Sequence, residues 1–185
     1  MRGRIASYLL IVVLLTGGCG HQESPVSLPL SEKEIQEAIS YGTAHSQETA
    51  NELLSEWTVD LGYEQGKGRA VLITPFARVA LLAWQAARKG EPVNRRVVEI
   101  ALRQISEVMV FRVSLYGDEP NFCRQARFEL VSGNKQFLPI SSYVPVYGDF
   151  TRDYYIVATG EVKFNRKDIP VDDLVKLQVT IPGTK

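Results

Sequence analysis

Residues 109–115 read MVFRVSL and mark the point where the hydrophobic pattern of the chain changes. Every second residue from Met109 to Leu115 is apolar, which is the period of a half-buried β-strand. Upstream, in Pro75–Lys89 (PFARVALLAWQAARK), apolar residues fill nearly all faces of a helix. Downstream, the alternation returns in residues 127–130, 154–164 and 175–181. The sequence therefore predicts an α+β fold, with N-terminal helices packed on a C-terminal antiparallel β-sheet or a small immunoglobulin-like sandwich.

Helix-end signals support this division. Ser31 begins a capping box (SEKE), and Gly42 is expected to end or bend the helix that follows. Thr74 and the proline after it predict a strong helix start, and Gly90 predicts the end of the same helix. Because Pro75–Lys89 has only a narrow polar edge, we expect it to be central to the core.

Composition excludes several functional classes. The chain has 185 residues, 45% hydrophobic and 23% charged, which indicates a folded domain and not a disordered chain. Lys and Arg together number 21, and so do Asp and Glu, so no positive charge favours nucleic acid as a partner. Two Cys and two His are too few for a disulfide framework or a cluster of metal ligands. We predict neither a metal nor a cofactor.

The first residues have the layout of a secretory signal. Arg2 and Arg4 precede residues 8–15 (YLLIVVLL), an unbroken apolar run, and residues 16–19 (TGGC) follow it. A charged start, an apolar run and small residues at a cleavage point define a signal peptide. The run is too short for a membrane span, which needs about 20 apolar residues.

The small residues end at a cysteine, and residues 14–19 (LLTGGC) resemble the lipobox of bacterial lipoprotein precursors. The resemblance covers the first twenty residues and implies cleavage after Gly18, with diacylglyceryl and palmitate chains on Cys19. It departs from the commonest pattern because the leucine lies one place further back, with Thr16 in its usual position. The alternative is an ordinary secretory signal with an incidental cysteine.

These signals divide the chain into a signal peptide (residues 1–18), a lipidated Cys19 with its tether (residues 19–30) and one α+β domain (residues 31–185). The domain has a helical part over about residues 31–105 and a β-rich part over about residues 106–185. The expected location is the cell envelope, with attachment to the membrane through the lipid. In a Gram-negative cell, Gly20 favours the outer membrane, with the protein facing the periplasm.

No catalytic constellation is apparent. Cys123 is the thiol left after lipidation of Cys19, and His45 is the histidine of the folded part, but no spacing pairs them. Residues 66–68 (GKG) lack the spacing of a phosphate-binding loop and are predicted to be a hairpin loop. The sequence favours a protein that is not an enzyme.

Residues 142–155 (SYVPVYGDFTRDYY) concentrate five aromatic side chains. Aromatic faces with polar groups suit the recognition of proteins, peptides or sugars. The candidate partner-binding residues are Tyr143, Tyr147, Phe150, Arg152 and Tyr154. The structural alternative is that these rings fasten a loop onto the sheet.

Three hypotheses about function follow. The first is a lipid-anchored envelope protein that binds or scaffolds an envelope protein or a glycan. The second is an envelope enzyme with scattered Arg, Tyr and Asp residues, which would bury Arg78 or Arg152 with a carboxylate in a pocket. The third is a surface adhesion module, which would present a flat aromatic patch.

Overall fold

The structure, a computed structural model, describes residues 7–13, 30–64, 66–151, 156–169 and 175–181. Its helices are α1 (Glu32–Ala44), α2 (Ala50–Leu53), α3 (Pro75–Lys89) and α4 (Arg95–Ile105). Its strands are β1 (Ser7–Val13), β2 (Thr58–Asp60), β3 (Gly68–Ile73), β4 (Val108–Gly117), β5 (Arg127–Ser132), β6 (Lys135–Phe137), β7 (Ser141–Tyr143), β8 (Asp149–Phe150), β9 (Ile156–Asn165) and β10 (Val175–Ile181). Short 3₁₀ turns lie at Ser55–Trp57 and Arg166–Asp168. The predicted α+β class is confirmed.

The strands form two sheets. One has four strands in the order β1-β10-β5-β6, and its neighbouring pairs are antiparallel. The other has the order β2-β3-β4-β9-β7, and β8 also pairs with β9. Both β7 and β8 run antiparallel to β9.

The described chain divides into two compact units, and the division does not follow the sequence linearly. The β-rich unit combines β1 and Val59–Val71 with the described part of Val110–Lys185. The helical unit contains the described part of Thr16–Thr58 together with Leu72–Met109. Most of β3 therefore belongs with the later strands, because a strand satisfies its backbone hydrogen bonds only by pairing with another strand.

In the helical unit, α1 begins as predicted but does not end at Gly42. Ser31 accepts a hydrogen bond from the backbone of Glu34 in a complete capping box. The helix continues to Ala44, and Gly42 is buried within it. A Cβ at position 42 would lie 2.0 Å from the carbonyl oxygen of Ala80. Glycine is therefore needed here so that the backbones of α1 and α3 can approach closely.

The predicted ends of α3 are confirmed. The Thr74 side chain accepts from the backbone N–H of Ala77, and Gly90 adopts the left-handed conformation at φ 70°. The buried residues of α3 are Pro75, Ala77, Val79, Ala80, Leu81 and Ala83. Leu82, on the same helix, is only partly buried, whereas Val79 is fully buried.

The helix that follows α1 is short. It is the single turn α2, followed by a 3₁₀ turn at Ser55–Trp57. Thr49 forms a capping box with Glu52, and this box starts the helix at Ala50. Residues 45–47, which precede Thr49, form a turn and not a helix.

In the β-rich unit, the predicted alternation is confirmed. Buried and partly exposed residues alternate along β5 and β10, and over most of β4 and β9. Phe111 of β4 and Phe164 of β9 meet edge-to-face, with ring centroids 6.0 Å apart. One face of these strands therefore forms the core of the unit.

Candidate functional site

The described candidate residues, Tyr143, Tyr147 and Phe150, lie at one edge of the six-stranded sheet, where β7 and β8 pair in succession with β9. The pair Tyr143–Glu161 ends the first ladder, and the pair Asp149–Val157 begins the second. Residues 144–148, five in number, separate these pairs on the outer strand, whereas three residues separate them on β9. The outer strand thus bulges by two residues. Such bulges redirect side chains at sheet edges.

The bulge is held in place by hydrogen bonds with residues 118–125, the turn between β4 and β5. The Gly148 N–H donates to the carbonyl oxygen of Pro120 at 2.8 Å. The thiol of Cys123, which is buried, donates to the carbonyl oxygen of Pro145 at 2.9 Å. The same sulfur lies 3.6 Å from the carbonyl oxygen of Val146. The backbone under the aromatic residues is therefore held in place before any partner binds.

A glycine on β9 sets how closely the outer strand approaches. A Cβ at Gly160 would lie 2.1 Å from the carbonyl oxygen of Tyr143 and 2.8 Å from the Cα of Val144. These are backbone atoms, so any side chain at position 160 would push the end of β7 away from β9. The position of Tyr143 thus depends on Gly160.

Six large apolar side chains between residues 138 and 150 are exposed, and we call them the exposed apolar edge. Their exposed fractions are Leu138 73%, Ile140 60%, Tyr143 75%, Val146 48%, Tyr147 67% and Phe150 72%. A ring that fastens a loop to a sheet should bury most of its surface, so the three aromatic exposures fit recognition better than fastening. Because six exposed apolar side chains lie within residues 138–150, this segment is a candidate interaction site.

Three of the predicted partner-binding residues, Tyr143, Tyr147 and Phe150, lie on this edge. Arg152 and Tyr154 lie outside the described residues, as do Cys19 and Gly18. Sequence reasoning missed the aliphatic members of the edge, Leu138, Ile140 and Val146. Prolines 139 and 145 interrupt this stretch, and apolar residues beside a proline at a strand end are a usable signal for an edge.

The described charges beside the edge are of both signs, with Lys163 basic and with Glu161 and Asp149 acidic. Lys163 and Glu161 on β9 form an ion pair with Nζ and Oε1 3.6 Å apart. Tyr143 is the cross-strand partner of Glu161, and Asp149 is exposed on β8. No strong field of one sign surrounds the described part of the edge, so contact there depends on apolar area and on the tyrosine hydroxyls.

Cys123 and His45 are each explained by local contacts. Burial raises the pKa of the Cys123 thiol, which disfavours the reactive thiolate. His45 Nδ1 lies 2.7 Å from the carbonyl oxygen of Tyr41, and the two rings are 4.2 Å apart. The contacts of the Cys123 sulfur with the carbonyl oxygens of Pro145 and Val146 give the thiol a structural role, because they hold the bulge in place.

The predicted hairpin loop at residues 66–68 connects β2 to β3. The Gly66 N–H donates to the carbonyl oxygen of Tyr116, and the Lys67 N–H donates to that of Glu64. A phosphate-binding loop needs such N–H groups to face a ligand. Here two of them are used by the protein itself.

A groove of about 240 Å³ lies in the helical unit, between the end of α3 and the start of α4. It is lined by Leu82, Gln85, Ala86, Lys89, Glu91, Pro92, Val93, Asn94, Val97 and Val98. Arg78 is not among these residues, and Arg152, the other arginine of the enzyme hypothesis, lies outside the described residues. Where the structure describes the chain, no three His, Cys, Asp or Glu side chains are grouped to hold a metal.

Among the described helices, none is both long enough and apolar enough to cross a membrane. The exposed apolar edge is the described feature with the clearest bearing on function, because its three aromatic rings are mostly exposed. No protein-family model, curated protein or solved structure matches this chain.

Proposed function

We propose that this chain is a lipid-anchored protein of the cell envelope that binds another envelope component through the exposed apolar edge and is not an enzyme. The observation that supports binding is the exposure of three aromatic rings, by 67% to 75%, on a backbone that hydrogen bonds fix in place. The signal-like residues 14–19 (LLTGGC) support the anchor.

The edge has the properties of a binding surface for two physical reasons. Aromatic side chains bury a large area with few rotatable bonds, so they dominate binding energy at protein interfaces. The bulge carrying Tyr147 is braced by Cys123 and Pro120, so little further ordering is needed when a partner binds. Less lost entropy leaves more of the contact energy as affinity.

The composition of the edge favours a protein partner over a glycan. Sugars stack on aromatic faces and need hydrogen bonds, whereas aliphatic side chains gain only from apolar area. Leu138, Ile140 and Val146 are aliphatic and exposed beside the rings. An apolar surface on another envelope protein would cover all six side chains. An adhesion module would use the same edge, with its partner on a different cell.

The anchor would operate through lipid and not through charge. Removal of residues 1–18 takes away Arg2 and Arg4, which leaves 19 basic and 21 acidic residues, a net charge of −2. Such a chain is not attracted to anionic head groups. Two or more acyl chains give stable attachment, because each buried CH₂ contributes about 0.8 kcal/mol.

The two cysteines of the chain provide a matched test of the anchor. Cys19→Ser should abolish labelling by a lipid precursor, because a hydroxyl replaces the thiol that takes the lipid. Cys123→Ser should keep both the label and the membrane attachment, because Cys123 is buried in the β-rich unit. Lipid labelling and membrane fractionation measure the result. Labelled, membrane-bound Cys19→Ser protein would contradict the proposed anchor.

The binding edge is tested by capture of partners from the native membrane. Tyr143→Ser with Tyr147→Ser should reduce capture at least about tenfold, or about 1.4 kcal/mol. The control is Val97→Ser with Ile100→Ser, which removes two other exposed apolar side chains, on α4, and should leave capture unchanged. Equal loss from both double variants, or from neither, would argue against the edge.

A further inference from the structure

Strand β1 covers the full length of β10. The antiparallel register runs from Ser7–Ile181 to Val13–Val175, so every residue of β10 has a partner in β1. On its other side β10 pairs with β5. All of β1 lies within residues 1–18, the segment whose removal is part of the proposed function. In the mature protein β10 would then become the edge of its sheet.

A β10 edge would differ from the other sheet edges of the described chain. Strands β2, β6 and β7 each have three residues. Strand β10 has seven, VKLQVTI, with no proline and with Lys176 as its one charge. Natural proteins keep edges short, charged or covered, because unpaired N–H and C=O groups accept another strand. A long and nearly uncharged edge of this kind is expected to be covered by another segment.

We infer that in the mature protein the β10 edge binds an extended segment of a partner protein with apolar residues at alternate positions, and that β1 covers this edge until it is removed. The inference rests on the signal cleavage in the proposed function. It places a second binding surface on the β-rich unit, separate in sequence from the exposed apolar edge.

The side chains of β10 specify the chemistry of this partner. Val175, Leu177, Val179 and Ile181 are buried, whereas the residues between them are partly exposed. An added strand continues the two faces of the sheet, so its residues beside Leu177 and Val179 extend the core face and should be apolar. Residues beside Lys176 and Gln178 face the other side and can be polar. Backbone hydrogen bonds supply the affinity, as in other strand additions.

The test compares the same chain before and after release of β1. A protease recognition sequence is inserted after Gly20 in a Cys19→Ser chain, which keeps β1 attached until the protease is added. The probe is a fluorescent peptide with the sequence of β1, SYLLIVV, flanked by lysines for solubility. The probe should bind the cleaved chain at least about tenfold more tightly than the intact chain, since attached β1 competes for the edge.

Two N-methylated probes distinguish strand pairing from general apolar adhesion. In an antiparallel pair, alternate residues direct both backbone groups to the same neighbour. One probe is methylated at the nitrogens matching Tyr8, Leu10 and Val12, and the other at those matching Leu9, Ile11 and Val13. The two probes keep the same side chains. One should lose at least about tenfold in affinity, or about 1.4 kcal/mol, and the other should bind like the unmodified peptide.

Three outcomes would overturn the inference: equal probe binding by the intact and cleaved chains, equal behaviour of the two methylated probes, or a cleaved chain that dimerises and excludes the probe. Because an added protease releases β1, the result does not depend on lipidation. If wild-type protein keeps residues 1–18 in the cell while the cleaved chain binds the probe, the signal-cleavage proposal fails and the property of the edge stands.

Discussion

Aromatic residues are used differently in the helical unit and on the exposed apolar edge of the β-rich unit. In the helical unit, Tyr41 lies 6.1 Å from Trp57 and 5.9 Å from Phe76 between ring centroids, and Trp84 Nε1 donates to the carbonyl oxygen of Glu48 at 3.0 Å. On the exposed apolar edge, the rings are mostly open to solvent. Aromatic content alone therefore does not distinguish a core from a binding site. Whether a ring is packed or exposed depends on the position of the backbone that carries it.

The difference has a structural cause. Helices α1 and α3 bring their backbones together at Gly42, so rings on the flanking turns reach one another. At the sheet edge, β7 and β8 are short, and no further strand pairs with them on their outer side among the described residues. The rings there have no second layer of described structure to cover them.

The largest effect is expected where the helices touch. Gly42→Ala places a Cβ 2.0 Å from the Ala80 carbonyl oxygen, so the backbones must separate. We expect a loss of about 3 kcal/mol or more in the free energy of unfolding. Ser40→Ala, at an exposed position of the same helix, is the control and should change stability little. Equilibrium unfolding in denaturant measures both variants, and equal stabilities would contradict the close approach.

The same replacement at one packed ring and one exposed ring sharpens the comparison. Phe76→Ala removes contacts with Tyr41 and Trp57 and should cost about 2–3 kcal/mol, since Phe76 is partly buried. Phe150→Ala should cost less than about 0.5 kcal/mol, because the ring is exposed. Thermal and denaturant unfolding distinguish the two. Similar losses would mean that both rings are structural.

Loss of the hydrogen bond from Cys123 to Pro145, which holds the bulge in place, should have an intermediate effect on the free energy of unfolding. Cys123→Ala removes the hydrogen bond to Pro145, and we expect a loss of about 1 kcal/mol. Burial raises the pKa of Cys123 in the folded protein, so its contribution to stability is present below the pKa of the unfolded thiol and declines as the pH rises through the folded pKa. Stability measured at rising alkaline pH should therefore fall more in wild type than in Cys123→Ala. Fast alkylation of Cys123 near pH 7 in the folded protein would contradict its buried, bracing position.

The smallest effect on stability is expected at the edge itself. Tyr143→Ser with Tyr147→Ser should change the free energy of unfolding by no more than about 0.5 kcal/mol per site, because both rings are exposed. Differential scanning calorimetry measures the change. A loss of several kcal/mol would show that the rings fasten the loop after all.

Local signals in the sequence predicted both ends of α3 correctly. Thr74 with the proline after it, and Gly90 after Lys89, act within a few residues of the helix they limit, so their chemistry can be seen locally. Gly42 was predicted to end or bend α1, and it does not end the helix. Its role depends on Ala80, which belongs to another helix and is distant in sequence. No local pattern contains that contact.

The edge was predictable in part. The composition of residues 142–155 identified Tyr143, Tyr147 and Phe150, but not the two short strands or the bulge between them. The bulge depends on the register with β9 and on the hydrogen bond from Cys123, both of which are long-range. The apolar run of residues 8–15 fits a signal peptide and also pairs as β1, because a short continuous apolar run does not specify one structure. The signal and its lipidation stay predictions.

We propose that a partner covers the exposed apolar edge in the cell. Site-specific photo-crosslinking tests it most directly, with the crosslinker placed at Tyr147 on the edge or at Val97 on α4, another exposed apolar position. We predict a discrete crosslinked protein from position 147 in the native membrane and none from position 97. No product at position 147, or the same products at both positions, would contradict the claim.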